Sequence, residues 1–169
     1  MTEGLFALLG VVLGGVVTGG VTIVQEKRRS AAARRVAARI LVEQLLLAGH
    51  KLNSIGSSGS WDFASEAERK RALSDAQWIQ HRELFAQGLS AESWDRLSTA
   101  FHWLGRLNDV TGATSPGAEA PFAEHGVSPW KTGFTLVVAA AKVLVPIAEV
   151  QPLSVAEIAQ GYRKESLQT

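Results

Sequence analysis

Leu5–Val24 reads LFALLGVVLGGVVTGGVTIV, and residues 25–39 follow as QEKRRSAAARRVAAR. The first segment has 20 residues and no charge. At 1.5 Å rise per residue, a helix of that length reaches about 30 Å, the thickness of a bilayer's hydrocarbon core. Lipid offers the backbone no water to bond with, so a spanning segment must be helical. Lys27, Arg28, Arg29, Arg34, Arg35 and Arg39 crowd its far side, whereas the N-terminal flank carries only Glu3 and the α-amino group. By the positive-inside rule this asymmetry predicts a single-pass inner-membrane protein, with its N-terminus outside and its remainder in the cytoplasm.

Two other readings fit the run less well. A cleaved signal has its basic residues before the apolar core and a small-x-small site after it. A buried helix of a soluble protein keeps a polar stripe, which Leu5–Val24 lacks. Against the span, Trp and Tyr are missing from both of its ends, so the usual interfacial aromatic belt is absent.

The rest of the chain supplies one domain of ordinary size, and its Leu, Trp and Phe content is enough for a core. There is no cysteine among the 169 residues, which excludes disulfides, thiolate metal sites and cysteine nucleophiles. The net charge of +1 hides an asymmetry: six basic residues against Glu26 give residues 25–39 a charge of +5, leaving −4 for everything else. The chain is thus a basic collar beside a mildly acidic body. Eleven Arg to six Lys, with abundant Ala, points to a GC-rich bacterial genome.

Helical periodicity begins inside the collar. Ala38, Leu41, Leu45, Ala48, Leu52 and Ile55 are spaced by three and four, which places them on one face. Ile40, Val42, Leu46 and Leu47 widen that surface and predict burial on more than one side. No Pro or Gly interrupts residues 21–48, so the membrane helix is expected to run on until Gly56-Ser57-Ser58-Gly59-Ser60 stops it. A second helical region spans about residues 63–88, its residues 66–71 solvated and a new start capped at Ser74-Asp75; Trp78, Ile79, Leu84 and Phe85 supply its apolar positions. Ser90 is the expected N-cap of a helix that carries Trp94, Leu97, Phe101, Leu104 and Leu107 and ends at Gly112. Residues 111–127 hold two Pro and three Gly without periodicity and are predicted to be a loop. Ser128-Pro129 starts an apolar helix to about Val150, which Pro146 should kink or end. Its residues 133–150 are apolar apart from Lys142 and Glu149, and predict an all-round buried core helix rather than a second span, because a central Lys costs about 2.5–3.5 kcal/mol in lipid. Ser154-Val155-Ala156-Glu157 fits a capping box for a last helix to about Leu167.

The expected fold is therefore all-α: a single N-terminal transmembrane helix (1–24), a basic juxtamembrane collar (25–39) that starts a long helix, and a cytoplasmic bundle of three to five helices (40–169). Within the span, Gly10-x-x-x-Gly14 and Gly15-x-x-x-Gly19 have the small-xxx-small spacing that lets two backbones approach closely. They predict helix packing in the membrane, most simply as a homo-oligomer. The collar is expected to face anionic headgroups, at about 1 kcal/mol per basic residue; no recognition motif supports nucleic acid. Trp78 and Trp94 read as core anchors, while Trp61 and Trp130 are the candidates for contact with the membrane surface or an unknown protein partner.

Nothing points to catalysis. His50, His81, His102 and His125 are scattered without metal-ligand spacing, and there is no Walker loop, GxSxG, GxGxxG or carboxylate pair. No catalytic, metal or cofactor residue is therefore named. The leading expectation is a non-enzymatic module that holds a helical interaction domain at the membrane. The alternatives are a holin-like or pore-forming oligomer, and a small tethered hydrolase or metal-dependent enzyme.

Overall fold

The computed structural model describes residues 2–58, 65–113 and 129–149, without the side chains of residues 2–20, 23, 57, 58, 113 and 129. Among these residues it is all-helical: α1 (Thr2–Ser58), α2 (Glu66–Leu73), α3 (Ala76–His81), α4 (Glu83–Ala86), α5 (Ala91–Ala113) and α6 (Pro129–Ala148). The chain divides into two units, residues 1–34 and 35–169. In the first unit α1 is the whole of the described structure; Val21 and Val24 are half exposed, and residues 27–33 are exposed.

The second unit is built on the face of α1 that its spacing marks. Ala38, Leu41, Leu45, Ala48, Leu52 and Ile55 are all at most 2% exposed. Against them pack Leu73 of α2, Trp78 of α3, Phe85 of α4, Leu97, Phe101, Leu104 and Leu107 of α5, and Phe134, Val137 and Leu144 of α6. Trp78 is the hub of the short helices. Its ring stacks on Phe101 at 5.5 Å, tilts against Trp94 at 5.1 Å and stacks on Phe85 at 6.3 Å, contacts that add to the large area an aromatic buries.

Local chemistry sets the breaks. Ser65 caps α2 by accepting the Glu68 N–H at 3.1 Å. The Ser74 hydroxyl accepts the Ala76 N–H at 3.0 Å, restarting the chain as α3, and Ser90 accepts the Ser93 N–H at 3.2 Å at the head of α5. The cap at Ser90 is the one the sequence predicts; a helix does restart after Ser74, but its N-cap residue, Asp75, makes no side-chain cap bond.

Four expectations are corrected. Helix α5 runs through Thr111 and Gly112 to Ala113 rather than stopping at Gly112, and the Thr111 hydroxyl is satisfied on the Leu107 carbonyl at 2.7 Å. Residues 111–113 are thus helix, and the remainder of the expected loop lies outside the described residues. Ile40, Ile79 and Leu84 are exposed rather than core. Residues 66–71 are not wholly solvated, because the Arg69 side chain is only 13% exposed. Helix α6 is buried along one side, not all round: Lys131, Thr135, Lys142, Pro146 and Glu149 are exposed, and their spacings of three, four and seven form a polar stripe opposite the core. Pro146 sits inside the helix, which ends two residues later at Ala148, and Glu149 takes the left-handed conformation with φ 53°. Among the residues whose side chains are described, Trp130–Ala148 is the one helix long and apolar enough to cross a membrane, and 39% of it is buried.

Candidate functional site

The collar does not act as one group. Lys27, Arg28 and Arg29 are exposed, and Arg34 is half buried; all four belong to the first unit. Arg35 and Arg39 belong to the second and meet the end of α6. Arg35 pairs with Glu149 at 3.0 Å, and the Arg39 Nε–H donates to the Ala148 carbonyl at 3.0 Å. The last four carbonyls of a helix lack internal donors and carry the negative end of its dipole, so a guanidinium is a suitable partner there.

Two other side chains tie helices together through a backbone carbonyl. Arg69 of α2 donates to the Asn108 carbonyl near the end of α5 at 2.5 Å, and Gln44 of α1 donates to the Ser74 carbonyl after α2. A side chain at Gly112 would collide with the Arg69 guanidinium. Helix α1 and helix α2 run antiparallel, as Lys51 with Glu68 at 2.5 Å and Glu43 with Arg71 at 3.4 Å show.

Beside these contacts, α1 and the α2–α3 junction enclose an open cleft of about 410 Å³. Ile40 and Leu47 form its apolar part, and Glu43, Lys70 and Arg71 its charged rim. Lys70 is engaged by Glu66 at 2.6 Å; this bond and the nearby Lys70 and Arg69 charges hold the Glu66 carboxyl below the usual glutamate range. The cleft holds no pairing of nucleophile with base and no histidine. His50 and His102 are exposed and His81 is half buried. No group of three metal-ligating side chains occurs among the described residues.

The remaining candidates separate. Trp130 is half buried: its indole covers Gly56, where an added Cβ would stand 2.9 Å from the ring. Gly133 is similarly close to Trp103 and Leu52, at 3.0 and 3.2 Å. Gly10, Gly14, Gly15 and Gly19 lie in the part of α1 described by its helical backbone alone, and Trp61 and His125 lie outside the described residues. Sequence reasoning missed the roles of Arg39, Gln44 and Arg69; a basic or amide side chain facing a helix end leaves no mark in local periodicity. No protein-family model, curated protein or solved structure matches the chain.

Proposed function

We propose that the chain is a single-pass membrane protein that holds a non-enzymatic helical interaction domain at the cytoplasmic face of the inner membrane and self-associates through its anchor. One observation carries this reading: the uncharged apolar run Leu5–Val24 is followed at once by Lys27, Arg28 and Arg29. Gly10, Gly14, Gly15 and Gly19 support close helix packing within that run. Lys27, Arg28 and Arg29 are the collar residues nearest the run and the first to meet anionic headgroups. Arg35 and Arg39 serve the bundle, whose α6 carries too polar an outer stripe for a lipid-facing span.

The test is crosslinking of the full chain in native membranes beside a Gly14→Ile, Gly19→Ile double variant. A ladder that is lost in the variant is expected, with a dimer as its main rung. Absence of the chain from the membrane fraction would defeat the anchor. A ladder equally strong in both would defeat the glycine face, and one climbing well above the dimer would favour a pore-forming oligomer.

A further inference from the structure

Two guanidiniums stand one turn apart on α1, and the end of another helix brings an acid to them. Arg35 and Arg39 are four residues apart, so they share a face, and both are exposed. Arg35 pairs with Glu149 at 3.0 Å. Arg39 gives its Nε–H to the Ala148 carbonyl at 3.0 Å, and the other N–H donors of its guanidinium find no partner among the described residues. A planar fork with open donors beside a second guanidinium suits a phosphate, whose oxygens accept parallel N–H bonds. Here the chain supplies a substitute: a carboxylate, and a helix end that carries the negative pole of its dipole.

The substitute is weakly held, whereas the arginines are not. The side chains of Arg35 and Glu149 are 44% and 57% exposed, so water screens their pairing and solvates the carboxylate when it leaves. Glu149 also sits at φ 53°, a left-handed conformation that a side chain disfavours and that release would relax. Pro146 removes a helical hydrogen bond just before it. By contrast Ala37, Ala38 and Leu41 are at most 2% exposed, which fixes α1 and both arginines to the core.

We propose that Arg35 and Arg39 form a phosphate-binding site that Glu149 occupies from within the chain. A phosphate, borne by a lipid headgroup or free in solution, displaces the carboxylate and releases the last turn of α6. The two occupants exclude each other, so anion binding and closure of that turn are opposed. The headgroup as source rests on the membrane reading above; the site itself needs only the second unit.

The full chain is reconstituted into vesicles of phosphatidylcholine, alone or mixed with phosphatidylglycerol, and amide exchange is read at residues 144–148. The mixed vesicles should speed exchange there about tenfold, the factor for a lost contact worth about 1.4 kcal/mol, and leave residues 97–107 unchanged. Inorganic phosphate added to phosphatidylcholine vesicles separates the sources: acceleration by phosphate but not by phosphatidylglycerol keeps the site and assigns it a soluble anion. Sodium chloride at the same ionic strength should do neither, and equal acceleration by it would reduce the effect to screening and overturn the proposal. Unchanged exchange with both lipid and phosphate would overturn it too. Glu149→Gln keeps both arginines and should exchange fast in phosphatidylcholine alone; native-like protection there would show that the carboxylate is not the occupant. Arg35→Gln with Arg39→Gln should abolish the response to either anion, and a response that survives would sink the assignment. Loss of the chain from the vesicles defeats the membrane reading, and the phosphate arm in mild detergent then decides the site.

Discussion

The Nε–H of Arg39 donates to the carbonyl of Ala148 at 3.0 Å, across 109 residues of sequence. With the Arg35–Glu149 pair one turn away, it fastens the end of α6 to α1. A basic residue in a segment that reads as a lipid-facing collar thus has a structural task in the bundle.

Arg39→Ala should cost about 1–2 kcal/mol, the range for a lost charged hydrogen bond at a helix end. Amide hydrogen exchange locates the effect: residues 144–148 should exchange faster while the middle of α5 does not. A uniform rise, or none, would show the bond to be idle.

Glu149 combines an ion pair with an unfavourable backbone. Its side chain and that of Arg35 are 57% and 44% exposed, so the pair contributes under about 1 kcal/mol. The φ of 53° suits glycine far better than any side chain. Glu149→Gly should therefore be more stable than Glu149→Ala by about 1 kcal/mol in urea unfolding. Equal stabilities would mean that the left-handed turn does not persist in solution.

Gly56→Ala should destabilise the bundle despite the better helix propensity of Ala, which is worth about 1 kcal/mol. The new Cβ would meet the Trp130 ring at 2.9 Å, and a rigid indole has to move bodily. Near-ultraviolet circular dichroism should report the displaced tryptophan, and a change in stability without a change in that signal would contradict the contact.

Trp78→Ala should be the most damaging of these changes, at about 3–5 kcal/mol. Its ring joins α3, α4 and α5 through Phe85, Trp94 and Phe101. Thermal unfolding measures the loss; a cost below about 1 kcal/mol would place the ring outside the core.

Acid should weaken α2 through Glu66. Its carboxyl is held below the ordinary range by the Lys70 hydrogen bond, then by the Lys70 and Arg69 charges. A depressed folded-state value favours folding above the unfolded value, and the gain disappears as pH falls through the folded one. NMR titration of the Glu66 carboxyl should give a midpoint below the usual glutamate range. A midpoint at or above that range would remove the Lys70 contact from the solution structure.

The core of α1 was legible residue by residue, because burial on one helix face imposes its period on the sequence: every position from Ala38 to Ile55 in that series is buried. The same held for Leu97 to Leu107 on α5 and for the cap at Ser90. Exposure of Ile40, Ile79 and Leu84 was not legible, since hydrophobicity indicates what is better buried and not whether a neighbour arrives. The polar side of α6 was visible only in part: Lys142 and Glu149 stand out in the sequence, whereas Thr135 and Pro146 join them only once the helix phase is known. Arg39 and Arg69 escaped for a further reason. An arginine reads alike whether it meets a phosphate, a carboxylate or the carbonyl of a distant helix, and only the fold distinguishes these partners.

Helix α1 also serves the second unit as a graduated ruler. Arg39 marks the end of α6, Gln44 the α2–α3 junction, Lys51 the first turn of α2 and Gly56 the start of α6. Inserting one residue between Arg39 and Gln44 would rotate the marks on one side by about 100° relative to the others. The chain can thus tolerate many substitutions along α1 but few changes of length. An insertion of seven residues, close to two full turns, would restore the angles yet displace the stations by about 10 Å, and the bundle would have to choose which of its attachments to keep.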